Sequence, residues 1–110
     1  MRLLLVLIGA VLILSSGCAG SNHYYKEVEE QLHIYLKYPE AEKVHFFSSL
    51  DQFQPHEALK NEKGVWDISV PSGQEITYFY IVDGEIFTPE CELMAIDDLG
   101  GKNCIYLPGL

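Results

Sequence analysis

The chain has 110 residues, with 7 Lys+Arg against 16 Asp+Glu and a formal charge of −9. That length excludes a multi-domain enzyme, since an (α/β)-barrel alone needs roughly 250 residues. The acidic balance excludes nucleic acid and an anionic membrane surface as electrostatic partners.

Residues 3–14 form a twelve-residue apolar run behind Arg2. The run is too short to span a bilayer as a helix, but it has the length of a secretory hydrophobic region. Ser15, Ser16 and Gly17 follow, then Cys18. Removing residues 1–17 leaves 93 residues, with 6 basic against 16 acidic side chains and a formal charge of −10. Residues 19–30 start small and polar and end acidic, so they read as a tether.

Strand signals begin at residue 31. Leu32, Ile34 and Leu36 alternate with His33, Tyr35 and Lys37, which predicts a strand over 31–37 stopped by Tyr38-Pro39. A helix over 24–37 competes, because Val28, Leu32, Tyr35 and Leu36 also fall at helical spacing. Residues 43–47 are β-rich, 50–55 form a loop, and 58–60 add a small edge strand. Residues 65–70 alternate and end at Pro71-Ser72-Gly73; 75–82 form the longest strand and end at the turn pair Asp83-Gly84. Residues 85–88 return, and 103–107 close the chain. About seven short strands without a convincing helix make an all-β sandwich, a single domain over 31–110.

Cys91 and Cys104 remain once Cys18 is set aside. An even number of cysteines in an exported domain reads as a disulfide, and no further ligands flank either one to make a zinc site. His23, His33, His45 and His56 share no ligand spacing. Asp97-Asp98 before Gly100-Gly101 reads as a turn rather than a calcium loop. Trp66 lies within a strand and reads as packing. No nucleophile–base pair or placed carboxylate pair supports catalysis, and nothing calls for a cofactor.

Two resemblances add to this reading. Leu14-Ser15-Ser16-Gly17-Cys18 resembles a bacterial lipoprotein processing site, with Ser15 at the usual apolar position and Leu14 one place earlier. It implies that Cys18 becomes the mature N-terminus and carries acyl chains, palmitate among them, that anchor it in the membrane of the cell envelope. An ordinary signal peptide or an uncleaved anchor is the competing reading. Ala19 after the cysteine implies the periplasmic face of the outer membrane, where the cell has one.

The second resemblance covers about residues 31–108. The stretch Leu32-His33-Ile34-Tyr35-Leu36-Lys37-Tyr38-Pro39-Glu40-Ala41-Glu42-Lys43-Val44 resembles the opening of isoamylase-type N-terminal domains. Gly64-Val65-Trp66-Asp67, Tyr78-Phe79-Tyr80-Ile81-Val82-Asp83-Gly84-Glu85 and Gly100-Gly101-Lys102-Asn103 follow in the order of that family. It is carbohydrate-binding module family 48, which includes the glycogen-binding domain of the AMP-activated kinase β-subunit. The resemblance implies an early-set immunoglobulin-like sandwich and an α-glucan or other glycan as partner.

The family's sugar contacts fall here on Phe53 (a loop tryptophan), Phe79 (a lysine), Ile86 with Phe87 beside it (a tryptophan), and Asn103 (kept). The loop glycine and phenylalanine of that pattern are Ser48 and Leu50, so half of the pattern has changed. The altered pattern leaves another envelope protein as the alternative partner, and an accessory role to a separate glycan-active enzyme is compatible with both. The face carrying Thr77, Phe79 and Ile81 discriminates. An open concavity beside Phe53 favours a glycan; a flat apolar surface favours a protein.

Overall fold

The computed structural model describes residues 22–109. The expected leader over residues 1–17, the expected lipidation position Cys18 and residues 19–21 lie outside the described residues. Ten strands run in chain order: β1 (His23–Val28), β2 (Gln31–Lys37), β3 (Val44–Ser48), β4 (His56–Glu57) and β5 (Leu59–Lys60). They continue with β6 (Val65–Pro71), β7 (Ile76–Val82), β8 (Glu85–Phe87), β9 (Met94–Ile96) and β10 (Lys102–Tyr106). A short 3-10 turn, Ser49–Asp51, follows β3.

The strands make two antiparallel sheets. The first has the order β1-β2-β6-β5; the second has β4-β3-β7-β10-β9, with β8 also paired to β7. Alternation explains the layering. Leu32, Ile34 and Leu36 of β2 face Ile76, Tyr78, Tyr80 and Val82 of β7 across one core, joined by Val44, Phe46, Trp66 and Ile68. The all-β sandwich expected from the sequence is therefore observed.

Three differences raise the strand count from about seven to ten. First, residues 23–28 are a strand rather than a tether: β1 pairs with all of β2, from His23 opposite Leu36 to Val28 opposite Gln31. The turn between them places Glu29 at φ 48° and Glu30 at φ 70°. That left-handed geometry is usually supplied by Asn or Gly, so the sequence shows no turn signal there. Second, residues 58–60 are not one edge strand. The chain crosses between sheets at buried Ala58, whose N–H donates to Val44 O at 2.9 Å, leaving β4 on the second sheet and β5 on the first. Third, β9 pairs with β10.

Other turns follow the sequence. Asp83 and Gly84 have φ 48° and 88°, and the Asp83 carboxylate also accepts from Glu42 N at 2.9 Å and Lys43 N at 2.8 Å. Gly64 has φ 79°, and a Cβ there would stand 2.8 Å from Pro39 Cβ, so the Gly-Val-Trp entry into β6 needs its glycine. Trp66 is core, 6% exposed, with Nε1 donating to Tyr38 O at 2.9 Å. Asp97 caps its own turn by accepting from Leu99 N and Gly101 N at 2.9 and 2.7 Å.

Cys91 and Cys104 are disulfide-bonded, with Cα atoms 5.7 Å apart. The bridge ties the loop after β8 to the middle of β10. Next to it the core turns polar: Tyr78 OH hydrogen-bonds both Tyr25 OH and His23 Nε2, the latter at 3.0 Å. Tyr80 differs, since its hydroxyl is buried without a hydrogen-bond partner among the described residues. Tyr80→Phe is therefore expected to leave stability unchanged or raise it by up to about 1 kcal/mol, because it removes a desolvated group that makes no bond. A urea melt checks this, and a clear loss of stability would contradict it.

Candidate functional site

The second sheet presents the face on which the sequence places its site. Cys104 pairs with Tyr78, and both point into the core, so their neighbours Asn103, Ile105, Thr77 and Phe79 point outward. On the other side of β7, Phe47 pairs with Phe79 and His45 with Ile81. Ile86 of β8 pairs with Ile81 and extends the same face, 74% exposed. Asn103 and Phe79 thus stand side by side, as the register of β10 on β7 requires.

Phe87 does not join them. It alternates to the inner side, pairs with Tyr80, and packs edge-on against Tyr38 with ring centroids 5.3 Å apart. Of the five expected sugar-contact residues, Phe53, Phe79, Ile86 and Asn103 share a surface, and Phe87 belongs to the packing.

Phe47 is the residue the sequence reading passed over. Its ring lies parallel to Phe79, 5.0 Å between centroids and 2° between planes. Phe53 lies on Phe79 in turn, at 6.0 Å and 21°. Three phenylalanines from β3, its following loop and β7 therefore form one stack. Only the register of β3 on β7 reveals this, because in sequence residues 43–47 read simply as β-rich. In fact Phe46 points in and Phe47 points out.

The backbone at Phe53 is unusual. Gln52 and Phe53 have φ 61° and 60°, a left-handed conformation rare for a bulky side chain and worth about 1–2 kcal/mol of strain. The loop holds it there. Phe53 N–H donates to Ser48 O at 2.7 Å, Gln54 N–H donates to Asp51 Oδ1 at 3.2 Å, and Leu50 N–H donates to Ser48 Oγ at 3.3 Å. His56 hydrogen-bonds Asp51 Oδ2, which holds the Asp51 carboxyl below the usual carboxylate range. The outcome is a large apolar ring left 41% exposed. Strain of this kind persists where the surrounding loop over-determines it, and such residues cluster at functional sites.

The face is open and apolar. Cavities of about 420, 940 and 230 Å³ lie beside His23 and Cys91, beside Leu36 and Phe87, and between Phe46 and Ile68; the first reaches Ile105, and the third is lined by Ser48, Leu50, Asp51 and His56 of the segment that holds Phe53. None of the three is lined by Phe53, Phe79 or Asn103. Around the phenylalanine stack the neighbours Ile81, Ile86 and Ile105 add hydrocarbon, with Thr77, His45 and Asn103 as the polar groups. No group of three or more His, Cys, Asp or Glu positioned to hold a metal occurs among the described residues. No protein-family model matches the chain, and no curated protein matches it in sequence.

Proposed function

We propose that this chain is a non-catalytic binding module of the cell envelope, anchored through acyl chains on Cys18, that engages another envelope protein through the outer face of its second sheet. One observation carries the reading. Phe53 is held in a strained backbone with its ring exposed, stacked on Phe79 and Phe47 in an outward-facing apolar surface. A surface of this composition, rimmed by a few polar groups, resembles the centre of a protein interface. The glycan reading is the second, favoured by the placement of Asn103 beside Phe79 and by the open ring of Phe53. Under it the chain is a family-48-like, immunoglobulin-like α-glucan module.

Phe79→Lys separates the two because it moves them in opposite directions. Phe79 is half-buried and faces outward, so the lysine is accommodated without unfolding the domain. A protein interface loses its central ring and its affinity falls at least tenfold, whereas glucan retention rises as a hydrogen-bond donor is gained. Photocrosslinking from position 53 in cells reports the first, and retardation of the full chain in glycogen gels reports the second. Phe53→Ala serves as the stability control. Losing its contact with Phe79 costs about 1 kcal/mol and several degrees of midpoint. A protein crosslink that is lost in Phe79→Lys supports the interface; wild-type retardation by glycogen without any crosslink overturns it. Fatty-acid labelling that persists in Cys18→Ser would remove the anchor from the proposal.

A further inference from the structure

The outer face of the first sheet carries a different chemistry. Tyr24 pairs with Tyr35, which pairs with Asp67; one step along, Lys26 pairs with His33, which pairs with Ser69. All of these alternate with buried residues, so they share the outward side. The Tyr24 and Tyr35 rings stack at 5.0 Å and 27°, and His33 lies on Tyr35 at 6.0 Å and 12°. The His33 Nδ1–H donates to Asp67 Oδ1 at 3.2 Å. Because β1 is the edge strand, no further strand among the described residues covers the ring face of Tyr24 turned away from Tyr35, and Tyr24 is 41% exposed.

Charge selects the occupant. Lys26 stands two residues from Tyr24 on β1, and Lys37 stands two residues from Tyr35 on β2. Because the strands are antiparallel, the two lysines bracket the ring pair from opposite ends, each about 6.6 Å along its strand. The carboxylate of this grid, Asp67, is held by His33. On a chain of formal charge −9 this is a local cationic bracket around an aromatic plate. The centre of the grid offers phenol, imidazole, hydroxyl and carboxylate groups, which suit hydroxyl-rich ligands, with Gln31 bonded to Ser69 and the exposed side chains of Val28 and Leu59 at its margins.

We propose that this face binds an acidic polysaccharide. The C–H face of a uronate ring lies on Tyr24, its carboxylate meets Lys26 or Lys37, and its hydroxyls exchange hydrogen bonds with Tyr35, the His33 and Asp67 pair, and Ser69. The site is separate from the phenylalanine face, on the opposite sheet.

The test is affinity electrophoresis of the purified full chain in mild detergent, through gels containing polygalacturonate, neutral β-galactan or poly-glutamate. A net acidic protein has no general attraction to a polyanion, so retention reports a site. Polygalacturonate is expected to retard the chain, and the other two polymers are not. Tyr24→Ala and Lys26→Gln should each weaken retention roughly five- to tenfold, Lys26→Gln with the melting point unchanged and Tyr24→Ala with a loss of only several degrees for its stack on Tyr35, and Phe53→Ala should leave retention intact. Retention lost in Phe53→Ala would move the sugar to the other face and overturn this assignment. Absence of retention, equal retention by galactan or poly-glutamate, or undiminished retention in both first-sheet variants would overturn it too.

Discussion

Replacing Cys91 and Cys104 together by alanine is expected to lower the thermal midpoint by roughly 12–24 °C. The bridge closes a loop with a sequence separation of 13, for which loop-closure entropy in the unfolded chain amounts to about 3 kcal/mol. Each kilocalorie moves the midpoint of a domain this size by about 4–8 °C. The native side of the equilibrium points the same way. Between β8 and β9, each of three residues, the chain has little regular pairing of its own, and the bridge is its covalent tie to β10. Alanine is the appropriate replacement because Cys104 is fully buried, and a serine hydroxyl there would add a desolvation cost. Calorimetry of the oxidised protein against the double variant measures the effect, and a difference of only a few degrees would mean the bridge contributes under about 1 kcal/mol, contradicting the loop-closure argument.

Acidification from pH 7.5 to 4 is expected to cost about 3 kcal/mol through His23 alone. Burial lowers the pKa of this imidazole from 6.5 to about 4. Its surroundings are aromatic: Tyr25 at 5.3 Å, Tyr78 at 5.6 Å and Tyr80 at 6.1 Å between centroids, with Cys91 Sγ 3.9 Å from Nδ1. Burial drives the Tyr78 and Tyr80 phenols well above their ordinary range, and burial also raises Tyr25, so all three stay neutral and none supplies a counter-charge. Glu90 and Glu92 line the neighbouring cavity. The sign follows from proton counting. Between pH 6.5 and 4 the unfolded chain binds a proton at His23 that the folded chain refuses. The stabilisation is therefore complete above about pH 6.5 and is lost as the pH falls toward 4. Urea midpoints of wild type and His23→Gln across this range decide the matter. The variant should lack this part of the slope, and parallel slopes would rule it out.

Much of the sandwich was legible because its central strands obey a period of two. Leu32, Ile34 and Leu36 in β2, and Ile76, Tyr78, Tyr80 and Val82 in β7, declare their buried face by alternation alone. Asp83-Gly84 declares its hairpin, and the cysteine pair declares its bond. What stayed hidden depended on partners distant in sequence. β1 alternates weakly, since only His23 of its six residues is buried, and its turn is built from two glutamates. With β1 unread, Tyr24 fell into a tether and its stack on Tyr35 had no register in which to be seen. The second-sheet site was half legible. Phe79 points outward beside Asn103, but the contribution of Phe47 and the left-handed turn at Phe53 came only from strand pairing and loop closure.

The early start of β1 sets a limit on where this module works. If Cys18 bears acyl chains, only residues 19–22 separate it from the first paired residue, His23. Even fully extended, the five steps between Cα atoms of residues 18 and 23 reach at most about 18 Å. The sandwich would then ride just above the headgroups with little freedom to turn, so whatever it binds must come within the first few nanometres of the bilayer. Association would become a search in two dimensions among other membrane-bound molecules, where a weak contact is multiplied by local concentration. Lengthening the segment at residue 20 with a flexible insert would release that constraint without touching either binding face.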